Sequence, residues 1–364
     1  SITTLDAAGR PLTITDANGI LTTLSYTPRG WLASRKTGLR TTSYTYDGVG
    51  QITRVTLPDA SHLDYTYDAA HRLTDIANAK LDHIHYTLDV MGNRTREDAY
   101  DAAGKLSQTH SRVFDALNRL AQDISAYNAT TSYTSNYSYD ANGDLTQILD
   151  AKNNATVIAY DALSRISRST DAALGITDYS YDAVDQLTNV NDPKTFNTHY
   201  ALNTLGDDKQ LNSPDSGITN RSFDSAGNLA SATDARNIAA TYAYDALNRP
   251  LSINYPTLGE SITYTWDAAV GCTNGIGRIC QLTDGNGNTT YAYDDQGNLT
   301  QRTSTDASGS LTTRYVYDAA NRLITVITPT GETLSMVRDA AGYIQQVDDT
   351  TAAGTSSITA NVQY

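Results

Sequence analysis

An aspartate returns every 21 residues along most of this chain, and that period constrains the fold more than any other feature. Asp47, Asp68 and Asp89 are 21 apart, as are Asp140, Asp161 and Asp182, then Asn203 in the same register, then Asp224 and Asp245. Asp115, Asp267, Asp294 and Asp318 continue the series with small insertions, Asp339 falls 21 after Asp318, and Asp6 and Thr27, 21 apart, precede Asp47, which follows Thr27 by 20. A short fixed period means stacked supersecondary units and not independent domains. The whole span 1–364 therefore reads as one array of about fifteen units.

Each unit carries two turn signals. Three residues after the aspartate stands a residue that tolerates positive φ, usually Gly (Gly9, Gly50, Gly143, Gly297), otherwise Asn118, Asn248, Asn321 or Asp185. A second turn signal follows about ten residues later, as at Asp16, Asp150, Asp192, Asp234, Asp284 and Pro329. Two turns per 21 residues leave two strands of six or seven, so the unit is a β-hairpin and the array a long antiparallel meander. The composition agrees: 25 Tyr against 3 Phe and 2 Trp, with only 39% hydrophobic residues, suits wet-faced strands without a deep aliphatic core. Strands twist, so a strip of some thirty of them, roughly 140 Å long and about 25 Å high, is expected to curl into a wide hollow coil. The stretches 121–137, 205–217 and 268–279 read as loops inserted at its edges.

Paired tyrosines precede the aspartates: Tyr44 and Tyr46, Tyr65 and Tyr67, Tyr137 and Tyr139, Tyr179 and Tyr181, Tyr242 and Tyr244, Tyr291 and Tyr293, Tyr315 and Tyr317. Two apart, each pair shares a strand face, where an amphipathic ring can keep its hydroxyl in water. Leu or Ile five after the aspartate (Leu73, Leu145) and Ile or Val eight after (Ile76, Ile148) are three apart. Either a bulge shifts the register or both faces carry apolar ladders.

The aspartates (Asp6, Asp47, Asp68, Asp89, Asp115, Asp140, Asp161, Asp182, Asp224, Asp245, Asp267, Asp294, Asp318 and Asp339) could form an array of acids or cap turns. Asn203 and Thr27 favour capping, since both can cap a turn and neither supplies a carboxylate. "DANGD" from Asp140 and "DGNGN" from Asp284 imitate a calcium loop, but Thr289 stands where its sharp-turn Gly belongs and Ala151 at the other's twelfth position. His62, His83 and His85 read as surface histidines, and Arg29, Arg35, Lys36 and Arg40 as a solvated basic loop. No metalloprotease, P-loop, nucleophile-elbow or dinucleotide motif is present, so no catalytic residue, metal or cofactor is expected. Cys272 and Cys280 are either a disulfide, which points to an oxidising compartment, or free thiols.

A net charge of −14 argues against nucleic acid or an anionic membrane as partner. No apolar run approaches the roughly 20 residues of a membrane span, and the N-terminus lacks the basic and apolar regions of a signal peptide. Beginning at Ser1 and ending at "NVQY", inside repeat units, the chain reads as cut from a longer protein.

The consensus Y-x-Y-D-x-x-G-R/N-L-T, carried by "DYTYDAAHRLT", "SYTYDGVGQIT", "NYSYDANGDLT", "TYAYDALNRPL" and "RYVYDAANRLI", resembles the YD-repeat, or RHS-repeat, family across nearly the whole chain. That family includes bacterial polymorphic toxins, Tc toxin shell components, wall-associated proteins and teneurins. The resemblance implies an all-β strip of hairpins spiralling into a hollow, solenoid- or barrel-like shell that encloses a cargo, such as a C-terminal toxin. It also implies a secreted or surface location in bacteria, with the cargo or adjoining shell segments as partners. Local departures are Thr27 for aspartate, Leu202-Asn203 for Tyr-Asp, and the Cys loop after Trp266-Asp267. The family's self-cleavage region and toxin are not found. The alternative is an adhesin-like array binding glycans or a partner protein, and exposed terminal strands invite self-association.

Overall fold

The structure, a computed structural model, describes residues 2–128 and 131–360; Ser1 and the closing "NVQY" lie outside the described residues. The described chain is all-β: thirty-three strands, numbered β1 to β33 in chain order, lie in one sheet, with no helix among the described residues. The described ladders are antiparallel and join each strand to its successor, as β7 (His62–Tyr67) to β8 (Leu73–Asn78) and β8 to β9 (His83–Leu88). Two compact units are distinguished. One comprises residues up to Tyr86, Ala99–Leu106 and the chain from Thr263 onward; the other comprises Thr87–Asp98 and Ser107–Ile262.

A bulge decides the register. Tyr65 faces Ile76, Thr66 faces Asp75 and Tyr67 faces Leu73, which leaves Thr74 as an extra residue on β8. Directly opposed residues share a face, so Leu73 and Ile76 join Tyr65 and Tyr67 on one side of the sheet. The same pairing puts Tyr44 and Tyr46 against Val55 and Ile52, and Tyr137 and Tyr139 against Ile148 and Leu145. Tyr179 and Tyr181 face Val190 and Leu187, and Tyr315 and Tyr317 face Val326 and Leu323. Tyr242 and Tyr244 meet Ile253 and Pro250, whereas Tyr291 and Tyr293 meet Arg302 and Leu299. There is thus one apolar ladder per repeat, on one face. The bulged residue is itself held: the hydroxyls of Thr74, Thr146 and Thr188 donate to Thr66 O, Ser138 O and Ser180 O at 3.1–3.2 Å.

A single-layer sheet buries little. Among the described residues only Tyr86, Ala240, Cys280 and Ala292 are buried hydrophobics, with Thr37, Ser61 and Asp98 the buried polar residues. Two of the expected edge loops are strands instead. The region 121–137 is a long hairpin of β12 (Leu120–Asn128) and β13 (Thr131–Tyr139), and 205–217 holds β20 (Asp208–Ser213) up to the start of β21 (Gly217–Phe223). The added length at 121–137 is absorbed by extending paired backbone, which satisfies more N–H and C=O groups than a loop does, whereas 205–217 adds no length, since Asn203 and Asp224 keep the spacing of 21. Only 268–279 is loop, apart from its last residue, which opens β26 (Ile279–Asp284).

Candidate functional site: the repeat corner and a seam

Each corner is closed by its aspartate. In the Asp68 corner, one carboxylate oxygen accepts the backbone N–H of Ala70 and of Arg72, both at 2.9 Å. The other accepts Nε of Arg72 at 2.8 Å. Backbone bonds from Asp68 N to Arg72 O and from His71 N to Asp68 O complete a four-residue turn whose third position is left-handed. His71 occupies it at φ 62°, and Gln51 braces it, with Nε2 donating to His71 O at 2.8 Å. The hook repeats at Asp6, Asp115, Asp161, Asp245 and Asp318 with Arg at the fourth position, and at Asp89, Asp224 and Asp294 with Asn. Asp47, Asp140, Asp182 and Asp339 hold the two backbone N–H groups through Oδ1.

Substituted corners follow the same rule. Asn203 Oδ1 accepts from Leu205 N and Asp207 N, and its Nδ2 donates to Asp207 Oδ2 at 2.7 Å, so amide and acid have exchanged places. Thr27 Oγ1 accepts only Trp31 N, at 3.1 Å. Asp267, at φ 68°, reaches across the Cys loop to Gly277 N at 2.7 Å. The opposite edge uses the hook too, at Asp16, Asp101, Asp150, Asp171, Asp192 and Asp234. Its signal in sequence is the same Asp-x-x-x-x spacing, ten residues out of phase.

The arginine connects one corner to the next. Arg165, fixed by Asp161, lies 4.6 Å over the ring of Tyr181, and Tyr181 donates its hydroxyl to Ile166 O at 2.9 Å. Arg10 with Tyr26 and Arg119 with Tyr139 repeat the arrangement, both at 4.5 Å. The hydroxyls of Tyr46, Tyr67, Tyr160, Tyr293 and Tyr317 likewise donate to the backbone carbonyl that opens the preceding hairpin's second strand. This corrects the expectation that these hydroxyls stay in water. The carbonyl lies beyond the end of the ladder: β6 (Ile52–Thr56) first pairs with β7 at Arg54, leaving Ile52 O for Tyr67. A cation over an aromatic face adds about 0.5–1 kcal/mol at exposed sites. Arg338, in the tyrosine's register, donates to Leu323 O at 3.0 Å in its place.

These bonds act on titration. Asp6, Asp68, Asp115 and Asp245 lie below the ordinary carboxylate range because the backbone N–H at the fourth position binds the ionised form, helped by the arginine there. Asp161 is lowered first by the Arg165 side chain, and Asp89 and Asp224 first by an asparagine amide. A lowered folded-state pKa contributes stability above the unfolded value, about 3.9, that is lost as pH falls through the lowered value. The array is therefore expected to lose stability on acidification below about pH 4. Thermal melts followed by circular dichroism check this; equal stability at pH 3 and pH 7 would contradict it.

Within the first unit, residues some 260 apart meet edge to edge. Asn18 Oδ1 accepts Ile276 N and its Nδ2 donates to Ile276 O, at 2.8 and 3.1 Å. Arg40 pairs with Asp295 at 2.8 Å and Lys80 with Asp339 at 2.8 Å, while Arg322 pairs with Asp59. Partners advance together, 18, 40, 59 and 80 against 276, 295, 322 and 339, so the seam matches one turn to one corner. Ile276 is presented by the loop that Cys272 and Cys280 close as a disulfide, with Gly275 packed where a Cβ would meet both sulfurs at 2.3–2.4 Å. Half-exposed ion pairs of this kind contribute about 0.2–1 kcal/mol each. Arg40→Ala is accordingly expected to speed amide hydrogen exchange at residues 38–40 and 294–297 by about threefold, with β5 (Arg40–Tyr46) beyond its first residues unchanged. Unchanged exchange at both places would mean the seam bonds contribute nothing.

The remaining candidates have local roles. His85 bonds Asp75 at 2.7 Å, His83 stacks on Tyr100 at 4.6 Å, and His62 lies 3.7 Å from Asp64. Asp284 Oδ1 accepts Asn286 N at a hairpin turn. Among the described residues no group of three or more His, Cys, Asp or Glu is placed to hold a metal ion. Arg29 donates to Gly48 O, Arg35 and Arg40 line a small cavity of about 100 Å³, and Lys36 lies on β4 (Leu32–Thr37). In the Thr27 corner, Trp31 replaces the arginine and packs on Gly50, where a Cβ would sit 2.8 Å from the indole. Thr27, Pro28, Arg29, Trp31, Tyr44, Thr45 and Tyr46 line an open pocket of about 410 Å³.

The repeat geometry has counterparts among known proteins. The Teneurin YD-shell family model matches residues 95–268, and the RHS Repeat model matches 6–43, 46–81, 274–308 and 301–333 on either side. The chain belongs to the YD-repeat, or RHS-repeat, family. In fold it is similar to the crystal structure of TcdB2-TccC3, at 16% identity and TM-score 0.54 over 98% of this chain and 26% of that one. It is also similar to TcdB2-TccC3-TEV, at 15% identity and TM-score 0.52 over 94% and 22%. This YD-repeat chain spans about a quarter of the length of the structures it matches. No curated protein matches its sequence.

Proposed function

We propose that this chain is a length of shell wall whose work is mechanical: to enclose and shield a cargo polypeptide, such as a toxin, in a secreted or surface-displayed bacterial protein. The observation that carries this reading is the run of paired hairpins in one sheet, many of them fastened to the last by a tyrosine hydroxyl on a backbone carbonyl. Continuous pairing leaves few strand edges for an enclosed chain to join. The repeats of the YD-shell model and the fold shared with TcdB2-TccC3 support it. No catalytic step is assigned to the array. Limited proteolysis of the parent polypeptide tests the role: cargo should survive protease while the wall is intact and be cut once corner substitutions open it. Cargo cut at the same rate with and without the wall would refute enclosure.

One observation favours a second reading, recognition of a sugar or partner protein. The pocket around Trp31, Tyr44 and Tyr46 combines stacking surface with the Arg29 guanidinium, 5.4 Å over the indole. A glycan array with hits that disappear in Trp31→Ala would support it; no hits would remove it.

A further inference from the structure

In the second unit the corner edge carries a large apolar side chain two residues after the aspartate register at most corners, Asn142 and Ala226 being the exceptions, and Leu163, Val184 and Leu205 follow one another without a gap. Leu117, Leu163, Val184, Leu205 and Leu247 are 67–82% exposed. In the first unit, where the corners at Asp294, Asp318 and Asp339 are covered by the turn edge of residues 16–80, the same position holds Gln296, Ala320 and Ala341. The three covered corners have small or polar residues there, whereas in the second unit Leu or Val predominates. An exposed apolar row at regular pitch marks an interaction surface.

The seam shows what a corner edge accepts: the opposite, turn edge of a YD strip, one turn to one corner. The turns near the C-terminal end of the first unit, at 284–287, 306–309, 328–331 and 351–354, are built from Gly, Ala, Ser, Thr, Asn, Pro and Asp. Between two of them runs a groove of about 560 Å³ lined by Thr330, Gly331, Glu332, Thr350, Thr351, Ala352 and Ala353. Both edges advance by two strands per step, about 9.6 Å, so knobs and grooves keep pace. Arg119, Arg165 and Arg249 flank the knobs, and Asp284, Asp306 and Glu332 flank the grooves, a complementarity of the kind that Arg322, itself held by Asp318, makes with Asp59.

We infer that a second copy of this chain docks here, its small-residue turn edge receiving the Leu163–Leu205 row of the first, head to tail. Such a contact is heterologous: each chain keeps one free knob row and one free groove edge, and association proceeds beyond the dimer. The inference rests on the two edges and not on the shell reading, so either can fail alone.

Sedimentation velocity across a concentration series tests it with three proteins: wild type, Leu163→Asp/Leu205→Asp, and Thr330→Arg/Ala352→Arg. All four substituted positions are exposed, and unchanged circular dichroism confirms folding. Wild type should form a growing series of oligomers, and each double variant should associate at least about tenfold more weakly. An equimolar mixture of the two variants should stop at the dimer, because one knob row and one groove edge remain. A wild type that stays monomeric throughout the series overturns the proposal. So does undiminished association of the knob variant, which would place the contact at the terminal strands β1 (Ile2–Leu5) and β33 (Gly354–Ala360). A mixture that fails to dimerise overturns it as well.

Discussion

Tyr181→Ala is expected to cost about 2 kcal/mol, and Tyr181→Phe about 1 kcal/mol, with the loss confined to neighbouring hairpins. The ring is half-buried between Arg165, 4.6 Å above it, and Leu187, its cross-strand partner. Truncating a wholly buried aromatic costs about 3–5 kcal/mol, and half-burial scales that down. Phenylalanine keeps the ring and loses one bond, leaving Ile166 O without its donor. Amide hydrogen exchange reads both effects: protection should fall in β16 (Ile166–Thr170), β17 (Ile176–Tyr181) and β18 (Leu187–Asn191) and persist a few hairpins away. Tyr179→Phe is the control, since the nearest contact of its hydroxyl is Ser169 Oγ at 3.4 Å, and it should change little. Equal losses for Tyr179→Phe and Tyr181→Phe would show that the carbonyl bond is not what distinguishes the two rings of a pair.

Much of the fold was legible because its causes are local. The period of 21, the left-handed residue after each aspartate and the alternation of tyrosines are properties of a few adjacent residues, and they imply hairpins in series. The register was not legible at Leu73 and Ile76, because a spacing of three is compatible with a bulge or with two apolar faces until the partner strand is seen. The long hairpin at 121–137 was hidden by its Ser, Thr and Asn content, which reads as loop although the backbone pairs throughout the described part. At the corner, the arginine's part was obscured because Arg, Asn, Gln and Asp all occur at its position; only Asp161, Arg165 and Tyr181 seen together show the connection. The seam has no local signature at all. Asn18 and Ile276 stand 258 residues apart in the chain, and no short window of sequence contains both.

Every letter of the repeat motif now has a physical task in the described corners. The first tyrosine and the two aliphatic residues share a face, the second tyrosine binds the preceding hairpin, and the aspartate ties the turn. The Gly or Asn supplies positive φ, the Arg spans to the next ring, and the Thr secures the bulge. Such a division of labour has the aspartate accept the hydrogen bonds that close its turn, a role that calls for no acid–base chemistry.

The corner at Asp140 separates those two roles most directly, because its fourth position is Asp144 and the arginine that reaches it, Arg119, bonds its backbone carbonyl and not its carboxylate. There the oxygen of an asparagine could accept Asn142 N and Asp144 N, while its amide faced Asp144 as Asn203 faces Asp207 at 2.7 Å and Asn78 faces Asp82 at 2.8 Å. Thermal and urea unfolding of Asp140→Asn and Asp140→Ala is the measurement. If the aspartate is a turn hook, Asn keeps or raises the stability of the wild type and Ala loses about 1–2 kcal/mol. If Asn is as damaging as Ala, the corner needs a carboxylate for something other than its turn, and the structural account of the repeat is wrong.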